Sequence, residues 1–300
     1  MIKRTLYFSN PAYLKTQDRQ LHITLTETGE VRSVPIEDIG LVLLDHPQIT
    51  LSHGAIARLL ENNAALVTCN EKHHPTGMLL NLDSHSLQSQ KFKAQIEASA
   101  PLQKQLWQQT VSAKIANQAA LLKTRGAEHN YLVNLSKNVN SGDSENAEAK
   151  AASYYWKRIF PQVEGFSRDR GGMPPNNYLN YGYAILRALV ARSLAGSGLL
   201  PTLGIHHRNQ YNAYCLADDI MEPYRPFVDQ LVCGMINKSK PADELGTAHK
   251  KQLLALPVMD VMIEKQKSPL MNAVQRTTAS LARCFTGEIR KIVYPAISEL

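Results

Sequence analysis

The chain has 300 residues, 44% of them hydrophobic and 20% charged, with a formal net charge of +7. That length and apolar content can bury one large core or two ordinary ones, and two is the better expectation for an ordinary soluble globular protein. A membrane span would need about eighteen uncharged apolar residues in a row and a secretion signal an apolar N-terminal core; neither occurs, so a cytoplasmic location is expected.

Strands dominate the beginning. Leu21, Ile23 and Leu25 alternate with polar residues in QLHITLTETGEV, and TETGE reads as the turn of a hairpin. The run Ile39 to Leu44 is almost wholly apolar, as a buried strand would be. It is followed by SHGAIARLLENN, a helix with Ser52 as a plausible cap, and by AALVTCN, another short buried strand. EKHHPTG has turn composition, MLLNL follows as a last strand, and the polar DSHS passage places a domain boundary at about residue 84.

Beyond that boundary the periodicity becomes helical. Leu106, Thr110, Ala113 and Asn117 recur at helical spacing, and Pro101 marks an interruption. Two loops, SKNVNSGDSEN and the basic SRDRGGMPPNN, each precede a helix. In the second of these helices Leu179, Tyr183, Leu186 and Val190 repeat until Gly196 and Gly198, with Asn176 or Asn177 able to cap its start. The fold class expected is α+β, with a strand-rich part over residues 1–84 and a larger, mainly helical part over 85–300. Residues 1–80 carry seven Lys/Arg and eight Asp/Glu, so the positive charge is concentrated in the helical part. Such a potential suits a polyanion as well as it suits a merely solvated basic surface. Cys69, Cys215, Cys233 and Cys284 form no CxxC pair and read as reduced thiols, mostly buried.

Two places stand out chemically. Glu148 shares a helical face with Ala151, Ala152 and Tyr155, so a carboxylate sits on an apolar stripe and needs a rim position, a hydrogen bond or a cation. In GIHHRNQYNAYCLADDIMEPYRP, His206 and His207 precede Asp218, Asp219 and Glu222, whose spacing puts the acids on a common side of a helix. A cation would relieve their repulsion; an exposed acidic turn paired with Arg208 or Arg225 is the equally weighted alternative. One imidazole with two carboxylates suits Mn²⁺ and tolerates Mg²⁺, the ions of phosphoryl transfer. A non-haem iron site uses the same residue types but with a histidine and carboxylate closer in sequence than Glu148 and His207.

The segments NAEAKAASYYW, PPNNYLNYGYAILRALVARSLAGSGLLPTLGIHHRNQYNAYCLADDIMEPYRPFVD and KIANQA resemble Cas1, the CRISPR-associated integrase, and specifically its type II branch, nearest subtype II-C. The resemblance covers essentially the whole chain. It implies a small β-sandwich-like dimerisation domain with one short helix, a helical catalytic domain, and insertion of captured DNA into a repeat array by attack of a 3′-hydroxyl on a phosphodiester. It implies Glu148, His207 and Glu222 as catalytic ligands of Mg²⁺ or Mn²⁺, with Asp219 in support; Gly204 sets the count that selects His207 over His206. It also implies a homodimer, a complex with Cas2, double-stranded protospacer and repeat DNA, and association with the type II effector nuclease. Arg168, Arg170, Arg208 and Arg225 are candidate DNA contacts from their proximity in sequence. Two other readings of the same residues are a metal-dependent nuclease of branched DNA and a non-catalytic DNA-binding scaffold.

Overall fold

The computed structural model describes residues 3–237 and 240–297. The last three residues of the expected 85–300 region lie outside that description. The chain is α+β, and its first third builds two small sheets. Strands β1 (Arg4–Phe8), β2 (Ala12–Gln17), β3 (Gln20–Leu25), β4 (Val31–Pro35), β5 (Ile39–Leu44) and β6 (Thr50–Leu51) come first, then α1 (His53–Glu61), β7 (Ala65–Cys69) and β8 (Pro75–Leu79). One sheet has the order β1-β5-β7-β8, the other β4-β3-β2-β6. The expected hairpin is the antiparallel β3–β4 pair. Ser52 caps α1 through its hydroxyl, which accepts the Ala55 N–H, a contact worth about 1 kcal/mol in typical helices.

The apolar run of β5 has a two-sided explanation. Val42 and Leu66 face a core shared with α1 and the second sheet, whereas Leu41, Leu43, Ala65 and Val67 face the helices. A strand buried on both faces loses the polar alternation of a half-exposed one. Ile39 returns to the first core because the pairing with β1 shifts register beside Gly40. The last strand begins earlier than expected. PTGML forms β8, so the turn is confined to the residues before Pro75; Gly77 allows this because a Cβ there would lie 2.3 Å from the Thr68 hydroxyl.

The helical part comprises α2 (Gln88–Ile96), α3 (Ala100–Thr124), α4 (Asn130–Lys137), α5 (Ala147–Ile159), α6 (Asn176–Gly196), α7 (Cys215–Met221), α8 (Arg225–Ile236) and α9 (Thr247–Leu253). A hairpin of β9 (Asp260–Ile263) and β10 (Gln266–Pro269) then leads into α10 (Leu270–Phe285). Pro101 stands in the first turn of α3, where its missing N–H costs nothing, and this is the interruption seen in the sequence. Neither Asn176 nor Asn177 caps α6. Both are already helical, and the Asn176 side chain instead accepts from Arg168 and from the Asp169 N–H.

Helix α6 runs through the centre with Leu179, Tyr183, Leu186 and Val190 all buried. The two parts are joined by a buried ion pair, Lys250 of α9 to Asp45 after β5, at 2.7 Å. Burial would push the Asp45 carboxyl up, but Lys250, Tyr7 and His73 all donate to it and hold it below the usual range. All four cysteines are free thiols, three of them buried. No helix among the described residues is long and apolar enough to cross a membrane.

Candidate metal centre

Glu148 enters the site from the first turn of α5. Its backbone N–H and that of Ala147 are bonded by the Asp143 carboxylate, which satisfies two of the orphan donors at the helix start and leaves the Glu148 side chain free to turn inward. Ala151 and Tyr155 below it are fully buried, as the stripe predicts. The Tyr155 hydroxyl donates to Asp229 on α8, which ties α5 to the helix that follows Glu222.

Glu222 stands where α7 tightens into a 3-10 turn, Glu222–Tyr224, before Pro226 opens α8. That turn is clamped from α3. The Asn117 amide donates to the carbonyls of Pro223 and Pro295 and accepts from the Ile297 N–H. One turn earlier on α3, the Lys114 ammonium lies 2.7 Å from Glu148 Oε1 and 2.6 Å from Glu222 Oε2. Arg225 holds the other oxygen, Glu222 Oε1, at 2.7 Å. The two candidate carboxylates, 74 positions apart in the numbering, thus converge on one buried cation.

His207 lies in the loop before α7. Its Nδ1 donates to Asp219 Oδ1 at 2.5 Å, and the N–H groups of His206 and His207 donate to the same carboxylate. Gly204 makes that loop possible, because a Cβ there would stand 2.4 Å from the His207 carbonyl and 2.8 Å from Asp219 Oδ2. A histidine fixed through Nδ1 by a carboxylate leaves Nε2 as its donor nitrogen, the arrangement usual behind metal-binding histidines. His206 does something else. Its ring stacks on Trp107 with centroids 4.1 Å apart.

The electrostatics follow from these contacts. Burial would raise the Glu222 carboxyl, but the Arg225 guanidinium and the Lys114 ammonium overcome it and bring it down to about 2. Burial works against the Lys114 charge as well, and Glu222 and Glu148 reverse that and raise its pKa. His207 is raised by the Asp219 hydrogen bond, then against partial burial by the charges of Asp219, Glu222 and Glu148.

The acidic turn is therefore not one cluster sharing one cation. Consecutive residues on a helix point about 100° apart, and Asp218, Asp219 and Glu222 are directed to different partners: Asp218 to Arg187 in a two-point bridge of 2.6 and 3.0 Å, Asp219 to His207, and Glu222 to Lys114 and Arg225. The turn is buried rather than exposed as one reading expected, although Arg225 does pair with it; Arg208 instead donates to Gln103.

As the side chains stand, no three carboxylate, imidazole or thiolate groups among the described residues converge closely enough to hold an ion. The residues nevertheless fit one. Glu222 Oε2 is buried, and the contact the structure gives it is the Lys114 ammonium at 2.6 Å, a cation already in the place an ion would take. With Glu148 Oε1 on the same ammonium, it would offer the hard oxygen pair that Mg²⁺ or Mn²⁺ takes, and His207 Nε2 would be the nitrogen to complete the set.

Three of the four candidate DNA-contacting arginines come together. Arg168, Arg170 and Arg225 line one cavity of about 370 Å³ with Arg187, His74 and Tyr183. The Tyr183 ring carries both Arg225 and Arg168, at 4.6 and 5.4 Å from its centroid. Arg208 lines a separate cavity of about 540 Å³ with His207, Gln103 and Asn209. Sequence reasoning missed Lys114, Asn117 and Arg187. For Arg187 the available signal was a charged residue on an otherwise apolar helix, one turn after Tyr183; Lys114 and Asn117 carried none.

The family model described as CRISPR associated protein Cas1 matches residues 6–254. The chain is 36% identical over 293 residues to the CRISPR-associated endonuclease Cas1 of Neisseria meningitidis serogroup C, covering 97% of this chain and 95% of that one. Among solved structures, a casposase bound to its integration product superposes with a TM-score of 0.80 at 20% identity, covering 97% of this chain and 92% of that one. A Cas6-RT-Cas1–Cas2 complex superposes with a TM-score of 0.75 at 18% identity, covering 96% of this chain and 35% of the larger one. On the family match and on the length and identity shared with the Neisseria protein, the chain belongs to the Cas1 family of CRISPR-associated proteins.

Proposed function

We propose that the protein joins captured DNA ends to a CRISPR repeat array, with Glu148, His207 and Glu222 binding the divalent metal that the reaction needs. The observation that carries this reading is the meeting of Glu148 and Glu222, from separate elements, on one cation, beside a histidine held by the buried Asp219. When bound, the metal, Mg²⁺ or Mn²⁺, would polarise the phosphoryl oxygen and favour ionisation of the attacking hydroxyl.

The chain's own residues orient and neutralise. Asp219 keeps the His207 ring in one tautomer and one direction. Arg225, braced by Glu222 and Tyr183, shares a cavity with Arg168, Arg170 and Arg187, and four guanidinium groups there suit backbone phosphates, which guanidinium binds in two-point fashion. A 3′-hydroxyl oxygen then bonds to phosphorus as the bond from phosphorus to the neighbouring 3′-oxygen breaks. One phosphodiester replaces another, so neither ATP nor a covalent enzyme intermediate is needed.

The same reading includes a homodimer formed through the strand-rich part, Cas2 as partner, and assembly on double-stranded DNA with the type II effector nuclease nearby. The relationship to a casposase with its integration product and to a complex containing Cas2 supports integration over simple hydrolysis. Incubating the protein with Cas2, fluorescent duplex ends, Mn²⁺ and a supercoiled repeat plasmid tests it. Covalent transfer of label to plasmid is the expected result; nicking or resolution of branched DNA without joining would point to a hydrolase, and no reaction to a scaffold.

A further inference from the structure

The KIANQA segment contributes Lys114, a charged residue only 9% exposed in the middle of a long helix. Its ammonium lies 2.7 and 2.6 Å from one oxygen of each candidate carboxylate ligand. The remaining oxygen of Glu222 belongs to Arg225. The two oxygens that face a common cation, Glu148 Oε1 and Glu222 Oε2, are therefore the ones that Lys114 contacts.

We propose that Lys114 is a resident cation of the metal centre, which holds Glu148 and Glu222 together before metal binds and sets divalent affinity by competing for their oxygens. The inference rests on the metal reading given above. Its physical basis is charge balance. Two carboxylates with Lys114 and Arg225 make a neutral, partly buried group, so a divalent ion entering between the carboxylates meets little net attraction until a positive side chain withdraws. Lys114 is the one able to withdraw. Its charge rides on a flexible four-carbon stem, whereas the Arg225 guanidinium is fixed by Glu222 Oε1 and by the Tyr183 ring. The same ammonium neutralises the pair before metal arrives, because the two carboxylates it bridges would repel each other without a cation between them.

A competitor and a mere structural support predict opposite signs. Removing a structural lysine loosens the ligands and weakens metal binding; removing a competitor leaves the carboxylates with excess negative charge and tightens it. The test is Mn²⁺ affinity, by calorimetry and by electron paramagnetic resonance of free Mn²⁺, in the wild-type protein, Lys114→Met and Glu148→Gln. Lys114→Met is expected to bind at least tenfold more tightly than wild type, and its melting temperature to rise more on addition of Mn²⁺. Lys114→Gln, which keeps an N–H donor, gives the same comparison should the methionine variant fail to fold. In the wild-type protein, the ¹⁵N signal of the Lys114 ammonium is expected to move or vanish on titration with Mg²⁺.

Wild-type binding with equal or weaker binding in the folded Lys114 variants would overturn the competition while leaving the metal reading intact. Absence of Mn²⁺ binding in wild type, with Glu148→Gln indistinguishable from it, would overturn both.

Discussion

Asp219 is fully buried and bonds the imidazole of the more exposed His207 at 2.5 Å, so the orientation of a ring open to solvent is set by a carboxylate that solvent does not reach. The same carboxylate accepts two backbone N–H groups of the loop. Replacing it with Asn keeps the size but not the acceptor capacity or the charge that favour one tautomer. Asp219→Asn is expected to weaken Mn²⁺ binding by about 10–100-fold, as losing a second partner of a metal-binding histidine commonly does. Calorimetry reads this directly, and unchanged affinity would remove Asp219 from the site.

The two histidines separate by the same geometry. His206 stacks on Trp107, a contact worth about 1 kcal/mol, and has no carboxylate on its ring, so His206→Ala should lower the melting temperature slightly and leave metal affinity within about twofold. His207→Ala should lose most of that affinity. Reversal of the two effects in a Mn²⁺ titration would assign the ligand to His206 instead.

The arginine cavity makes a prediction about salt. Arg170 is exposed on the cavity, and its alanine variant should weaken duplex binding uniformly across sequences. The slope of log affinity against log salt should fall by about 0.9, the loss of one phosphate contact. Arg208→Ala, in the other cavity, should not reproduce that slope change if the phosphates follow the first.

Stability should depend on pH through Asp229. Burial lifts its carboxyl from 3.8 to about 6, against hydrogen bonds from Tyr183 and Tyr155 that favour the charged form. The native state therefore holds the proton more tightly than the unfolded chain. Stability from this group is complete below about pH 4 and is lost as pH rises through about 6, by roughly 3 kcal/mol at most. Asp229→Asn has no such loss, so the melting temperature of wild type relative to this variant should fall between pH 5 and pH 8. A constant difference across that range would show that Asp229 is ionised throughout.

Much of this was legible before any coordinates. The all-apolar run of β5 announced a buried strand, Ser52 announced a cap, and Glu148 on its alanine stripe called for a rim position, a hydrogen bond or a cation, of which it has the cation. What stayed hidden depended on distance in sequence or on the directions in which neighbouring side chains point. Lys114 looks like any helical lysine until residues 34 and 108 positions away meet it. Asp218 and Asp219 are consecutive on α7 and point about 100° apart, so acids that lie close in sequence reach Arg187 and His207 on different sides. The β9–β10 hairpin lies in DVMIEKQKSP, where Glu264 and Lys265 adopt positive φ without the glycine or asparagine that usually signals such a turn.

Glu148, His207 and Glu222 are proposed to act together on one metal ion as the protein joins DNA. This is tested most directly by the amount of labelled duplex end covalently transferred to a repeat plasmid by Glu148→Ala compared with wild type, in the presence of Cas2 and Mn²⁺. Efficient transfer by wild type is expected, with a loss of at least about a hundredfold in the variant and duplex binding retained. Transfer by Glu148→Ala at the wild-type rate would contradict that joint role.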